Sequence, residues 1–195
     1  GNYIFIVQKE HQEKYNINSV LKILKPNCKI IELDHITEGA ACTTLLAKKF
    51  INTNNPLIIA NSDQYIKWDS IKSMYNYNQK KIDGSILTFE AIHPKWSYAK
   101  TDKNSFVTEV AEKKVISKNA TVGVYYWKKG SDYVNSAETM IKKNVRVNNE
   151  FYVCPVYNEA IGEGKKIVID KVSEMHGLGT PDDLKNFITK KNLTN

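Results

Sequence analysis

Apolar positions along this chain change period several times, and the changes mark its elements. Tyr3 to Val7 is a short apolar run, which predicts a strand. From His11 to Lys25 the residues Tyr15, Ile17, Val20, Leu21 and Leu24 fall at helical spacing, and Pro26-Asn27 closes the segment. Lys29 to Leu33 is a second strand. Ala40 to Ile51 is a helix carrying Leu45, Leu46 and Phe50, and the polar turn Asn52 to Pro56 leads into a third strand, Leu57 to Asn61. The unbroken run Leu57-Ile58-Ile59-Ala60 predicts a strand buried on both faces, as in a parallel sheet covered by helices. This opening third alternates strand and helix in Rossmann-like style.

After a helix from about Lys67 to Gln79, the pattern turns to closely spaced strands at Gly84 to Ala91, Ser97 to Thr101, Phe106 to Glu112 and Thr121 to Trp127. Asp102-Lys103-Asn104 is a hairpin turn between two of them. Helices near Ser131 to Lys143 and Glu150 to Gly162 precede a strand at Lys166 to Lys171. A last helix starts at Thr180-Pro181-Asp182-Asp183, where Thr caps, Pro takes the first turn and the acids favour the dipole. No repeat, linker or low-complexity segment interrupts the chain, so one α/β domain is expected: a Rossmann-like mixed, mainly parallel sheet flanked by helices. Residues 1–80 form its first half and 81–195 a β-rich second half.

Composition agrees with a globular domain: 195 residues, 42% hydrophobic and 25% charged. The net charge of +7 raises nucleic acid as a partner, but Arg146 is the sole arginine among 28 basic residues. Base-edge readout leans on Arg, so the charge suits a phosphate-bearing small molecule better than a polynucleotide. Cys28, Cys42 and Cys154 are odd in number and have no paired spacing, which fits a reducing, cytoplasmic setting without disulfides or a zinc knuckle. No apolar run reaches the roughly 18 residues of a membrane span, and the N-terminus lacks the pattern of a signal peptide. His11, His35, His93 and His176 have no metal-ligand spacing.

Three places carry candidate chemistry. A buried strand runs out into Asn61-Ser62-Asp63-Gln64, and open α/β sheets bind ligands at the carboxyl ends of their strands. Asp63 there serves either as a turn residue or as a Mg²⁺ ligand, because Mg²⁺ takes one or two carboxylates and completes its shell with phosphate oxygens and water. Glu38-Gly39-Ala40-Ala41 opens a helix with small residues that allow either close packing or close approach of a flat ligand. Glu112-Lys113 ends a strand with an acid that can accept hydroxyl hydrogen bonds and a base that can meet a phosphate. Strand alternation puts the two on opposite faces unless the strand breaks between them, and a solvated strand end is the alternative.

In this order and spacing these segments resemble the sugar-1-phosphate nucleotidyltransferases, whose fold is the Rossmann-like glycosyltransferase A type. Glu38-Gly39-Ala40-Ala41 resembles the family's helix start that meets the nucleobase. Leu57 to Asp63 is similar to its strand ending in a metal-binding Asp, Trp96-Ser97 to its Tyr-Gly, Glu112-Lys113 to its acceptor-binding pair and Gly123-Val124-Tyr125 to its Gly-x-Tyr strand. Gly179 to Leu184 resembles the closing Gly-Thr-Pro-Asp-Asp-Leu signature. The resemblance implies transfer of a nucleotidyl group to a phosphorylated sugar or similar acceptor, with release of pyrophosphate, in the service of surface polysaccharide synthesis. It implies Asp63 on Mg²⁺ and Lys113 on the acceptor phosphate as catalytic residues, with Ser62 and Glu38 to Ala41 on the nucleotide. Gln64, Trp96, Ser97, Glu112, Gly123 and Tyr125 are implied on the acceptor. A homo-oligomer stays open.

Two departures shape the expectation. The family's opening strand, Gly-rich loop and Lys-Pro segment have no counterpart, since Gly1-Asn2-Tyr3 leads directly into what resembles its second strand. A longer native chain is therefore expected, and the chain as written is not expected to catalyse transfer by itself. At the C-terminal signature Gly177 stands where the family often has a second metal-binding Asp, which leaves His176, Glu174 or Asp170 as substitutes. A glycosyltransferase of the same fold is an alternative, although Asn61-Ser62-Asp63 holds one of the two acids of an Asp-x-Asp. A nucleotide- or sugar-binding domain without chemistry is another.

Overall fold

A computed structural model describes residues 2–192. Its strands and helices follow in the order β1 (Ile4–Gln8), α1 (Lys9–Tyr15), α2 (Ile17–Leu24), β2 (Lys29–Leu33), α3 (Ala40–Leu45), α4 (Lys48–Ile51), β3 (Leu57–Ala60), β4 (Gln64–Lys67), α5 (Ser70–Gln79), β5 (Gly84–Glu90), β6 (Tyr98–Thr101), β7 (Val107–Ala111), β8 (Asn119–Trp127), α6 (Gly130–Lys142), α7 (Val156–Gly162), β9 (Ile167–Lys171), β10 (Glu174–Gly177) and α8 (Pro181–Asn192). The result is a mixed α/β fold whose central sheet is flanked by helices.

The main sheet runs β7-β6-β8-β5-β9, with β3 paired to the other part of β8. β3, β5 and β9 share one direction and β8 runs against them. The long strand β8 is buried almost throughout and organises the core. Its Trp127 stacks on Tyr157 of α7, ring centroids 4.2 Å apart, and meets Tyr133 of α6 edge-on. The Tyr157 hydroxyl donates to the carbonyls of Tyr126 at 2.9 Å and Ser85 at 3.1 Å, so the buried ring keeps its polar end satisfied.

β1 and β2 form a separate parallel pair. Each of β1 and β3 has one hydrogen-bonded neighbour among the described residues, and a mainly apolar cavity of about 350 Å³ separates them, lined by Ile4, Ile6, Ile51, Leu57 and Ile59 among others. β3 is not covered on both faces as its sequence predicts: Leu57 and Ile59 are half-buried on one face, while Ile58 and Ala60, on the other, are exposed.

Other differences have local causes. The helix expected from His11 to Lys25 breaks at Asn16, which adopts the left-handed region (φ 50°, ψ 42°) that Asn tolerates better than most residues. No residue of α1 or α2 is buried, so the predicted apolar stripe is left largely uncovered. The Ala40 to Ile51 helix is interrupted between Leu45 and Lys48. The helix expected from Glu150 begins only at Val156, after Pro155, and residues 150–154 run as irregular backbone instead. β4 and β10 were not anticipated; they pair antiparallel, with Tyr65 packed against His176 and Phe187. The capping expectations hold: Thr180 Oγ1 accepts from the Asp183 amide at 3.1 Å, and Asp102 Oδ1 accepts from the amides of Asn104 and Phe106 in the β6-β7 hairpin.

Candidate functional site

A second cavity, about 340 Å³, opens at the ends of β3 and β7 and along β8. Of the residues the sequence pointed to, Ala40, Gln64, Trp96, Ser97, Glu112, Lys113, Gly123 and Tyr125 line it. Glu112 and Lys113 reach one cavity although adjacent residues on a strand face opposite ways. β7 ends at Ala111, and Lys113 takes a left-handed conformation (φ 53°) fixed by its amide donating to the Trp96 carbonyl at 3.1 Å. The break cancels the alternation.

The two side chains sit in different surroundings. Glu112 is half-buried and accepts a hydrogen bond from Ser97 Oγ. Burial pushes its carboxyl above the usual range, while the Ser97 hydroxyl and the Lys113 ammonium partly oppose the shift. Lys113 is exposed, and its Nζ donates to the Tyr152 hydroxyl at 2.7 Å while lying 4.8 Å from the centre of that ring. That hydrogen bond raises the ammonium's pKa above the ordinary lysine value.

Gly123 is required by the cavity's construction. Its φ is 73°, and a Cβ there would lie 2.4 Å from Asn61 Nδ2 and 3.1 Å from Gln64 Oε1, so the two amides lie directly on the β8 backbone. Gln64 Nε2 is buried and has no acceptor among the described residues, although it belongs to a cavity-lining side chain. A buried donor left in that state favours a ligand oxygen that can accept from it. Tyr125 is buried at the floor, its hydroxyl 3.2 Å from Thr121 Oγ1, and desolvation pushes its phenol well above the usual range.

Ala40, Asn61 and Val153 line this cavity and also the apolar one beside β3, so the two adjoin. Ser62 lies on the apolar one. The other residues of the Glu38 to Ala41 start are differently placed. Gly39 has φ 126°, and a Cβ would fall 2.6 Å from both the N and O of Phe151. The Phe151 amide donates to the Glu38 carbonyl at 2.8 Å and the Ala41 amide to the Phe151 carbonyl at 2.9 Å, so Ala41 is buried and its amide is engaged within the protein. The Glu38 carboxylate pairs with Arg146, whose guanidinium lies 3.9 Å from the centre of the Phe151 ring.

Asp63 is exposed and lines neither cavity. It stands beside the C-terminal signature: the Leu178 amide donates to its carbonyl at 2.7 Å, and a Cβ on Gly179 would lie 2.7 Å from its Oδ2. The substitutes for a second metal ligand are engaged elsewhere. Asp170 Oδ2 accepts from Trp68 Nε1 at 2.9 Å, Tyr77 OH at 2.7 Å and Ser73 Oγ, while Glu174 pairs with His176 at 2.9 Å. Among the described residues no group of three or more His, Cys, Asp or Glu side chains is arranged to hold a metal. Asp63 alone fits a dication only of the kind that draws most of its ligands from water and a substrate's phosphates.

Tyr152, Lys95 and Cys154 also line the cavity, and no motif in the sequence marks them. Tyr152 and Cys154 lie in the stretch whose periodicity predicts a helix, and the irregular backbone of residues 150–154 brings them to the cavity instead. Among the described residues no helix is long and apolar enough to cross a membrane.

No protein-family model and no curated protein sequence matches the chain. Solved structures do. A nucleoside-diphosphate-sugar pyrophosphorylase from Vibrio cholerae RC9 is similar with a TM-score of 0.80 at 22% identity, over 97% of this chain and 81% of that one. A UDP-glucose pyrophosphorylase complexed with UDP-glucose follows at 0.73 and 14%, over 97% and 81%. The inositol-1-phosphate CTP transferase from T. maritima follows at 0.72 and 13%, over 97% and 74%. The fold is therefore that of the sugar-1-phosphate nucleotidyltransferases, of glycosyltransferase A type.

Proposed function

We propose that this chain forms the acceptor site and part of the nucleotide site of a nucleotidyltransferase that makes a nucleotide-activated sugar, or a similar activated acceptor, from a nucleoside triphosphate. The observation that carries the reading is the break at Lys113, which brings a carboxylate and an ammonium onto one cavity wall next to the Asn61 to Asp63 loop. A phosphorylated polyol needs that pair: an acid to accept from hydroxyls and a base to meet phosphate.

In this reading an acceptor phosphate oxygen attacks the α-phosphorus, the bond between the α-phosphorus and the bridging oxygen breaks, and pyrophosphate leaves. Such a step asks the protein for in-line positioning and charge neutralisation more than for covalent chemistry. Lys113 holds the acceptor phosphate. Glu112, with Gln64 Nε2, fixes the acceptor's hydroxyl edge, and Trp96, Ser97, Gly123 and Tyr125 shape the wall around it. Ala40 and Ser62 border the nucleotide, and Gly39 acts behind them by letting Phe151 pack. Asp63 is the residue that would hold Mg²⁺, which when bound neutralises phosphate oxygens. The described residues contain no Gly-rich cradle for the outer phosphates. The supply of nucleoside triphosphate makes the cytoplasm the fitting compartment, and surface polysaccharide is the fitting destination of the product.

Pyrophosphate release by the full-length protein, measured against a panel of triphosphates and phosphorylated sugars or polyols, tests the proposal. Lys113→Met removes a charge-assisted hydrogen bond of about 1.5 to 3 kcal/mol and should raise the acceptor KM at least tenfold. Asp63→Ala should remove the metal dependence of nucleotide binding. Thermal midpoints should stay close to the parent's in both, because both side chains are exposed. Ligand binding without pyrophosphate release from any pair in the panel would make this a binding domain and reject the transferase reading.

A further inference from the structure

Lys113 is exposed, and a lone exposed lysine samples many rotamers, so fixing one costs entropy. Here the side chain is held at its tip: Nζ donates to the Tyr152 hydroxyl at 2.7 Å. Tyr152 is itself anchored through its neighbours. Phe151 precedes it, buried, with both backbone polar groups bonded to Glu38 and Ala41 on either side of Gly39. Val153 and Cys154 follow it, both buried. The stretch therefore spans the molecule's two candidate half-sites, docked on the helix start of one while its one half-exposed member reaches the cation of the other.

We infer that Tyr152 is a positioning residue that holds the Lys113 ammonium over the acceptor cavity, and that the segment 151–154 ties that position to the backbone around Gly39. The assignment rests on the acceptor reading of the cavity given above. An ammonium has three donors, and the Tyr152 hydroxyl takes one, leaving two for an anion. The hydroxyl fixes its direction without neutralising it, whereas a carboxylate partner would cancel its charge. A cation held in place before the acceptor arrives loses less entropy on binding, which is the general advantage of preorganisation. The raised pKa of Lys113, whose largest cause is the Tyr152 hydrogen bond, is consistent with this geometry.

Tyr152→Phe keeps the ring and removes the hydroxyl. The full chain and this variant should be compared by competitive acylation, with the extent of modification at each lysine read by mass spectrometry, with and without inorganic phosphate as the probe anion. In the parent, Lys113 should acylate more slowly than its exposed neighbour Lys114, and phosphate should slow it further. In Tyr152→Phe, the reactivity of Lys113 should rise severalfold, phosphate protection should weaken, and Lys114 and the thermal midpoint should be unchanged. Equal Lys113 reactivity in the two proteins would overturn the inference. A Lys113 that Tyr152→Phe releases, but that phosphate protects in neither protein, would uphold the tether and reject instead the acceptor-phosphate role of Lys113.

Discussion

Glu112 shows most directly what the fold does to one side chain. Its carboxyl is half-buried, and burial is the largest influence on it, so its folded pKa lies above the ordinary 4.5 despite the Ser97 hydroxyl and Lys113. For a group whose folded value is raised, the neutral form is favoured by folding: the stability it contributes is present below the unfolded pKa and is lost as pH rises through the folded one. Glu112→Gln, which keeps the shape and can still accept from Ser97, should therefore unfold at a higher temperature than the parent at pH 7, by a few degrees at most. The advantage should vanish below about pH 4.5, which a pair of pH-dependent melting series would show. The same variant should weaken acceptor binding, since a neutral amide is a poorer acceptor for hydroxyls than a carboxylate. Melting curves that stay parallel across the range would show that burial does not set the carboxyl's state. The pair Glu112-Lys113 was legible in the sequence as residue types. What alternation could not reveal was the left-handed turn at Lys113, because a non-glycine residue with positive φ leaves no local pattern.

At the scale of elements, periodicity located strands with strong apolar runs and failed where partners outside the segment decide the structure. β5 and β8 were visible because they are buried nearly end to end. β4 and β10 are four-residue strands with no buried residue, stabilised by each other and by α8, so neither declares itself alone. Residues 150–154 carry apolar spacing compatible with a helix, yet Phe151 bonds across to Glu38 and Ala41 instead. Tertiary pairing won over local preference there. The glycine that makes this docking feasible supplies a test. Gly39 has φ 126°, and a methyl there would come within 2.6 Å of Phe151 backbone atoms, which cannot swing aside as a side chain can. Gly39→Ala should cost at least about 2 kcal/mol, by strain and by displacing the segment, and should loosen Lys113 together with Tyr152. Chemical denaturation checks the first outcome and the acylation pattern the second. A parent-like unfolding midpoint would mean that the junction is far more yielding than its contacts indicate.

For the whole molecule, protection should be graded according to how many neighbours each strand has. β5 lies between β8 and β9, and the core around Trp127, Tyr133 and Tyr157 closes over it, so opening this region amounts to opening the fold. Among the described residues β1 and β2 pair only with each other, and two strands alone are marginal in water. What fastens them is side-chain packing, with Ile4, Ile6 and Ile31 resting against the main core, while the cavity beside β3 leaves the facing edges of β1 and β3 without a ladder between them. The α1-α2 layer outside them buries no residue and adds little. Native-state hydrogen exchange should therefore find the amides of Ile4–Gln8 and Lys29–Leu33 exchanging at least about a hundredfold faster than those of Gly84–Glu90, a difference of roughly 3 kcal/mol in opening free energy. Exchange of β1, β2 and β5 as one cooperative unit would refute the division. If the division holds, it bears directly on function, because Ala40, Asn61 and Val153 border both the cavity beside β1 and the one along β8. A ligand that spans them would stabilise the softer side preferentially, and its binding should slow exchange in β1 and β2 far more than in β5.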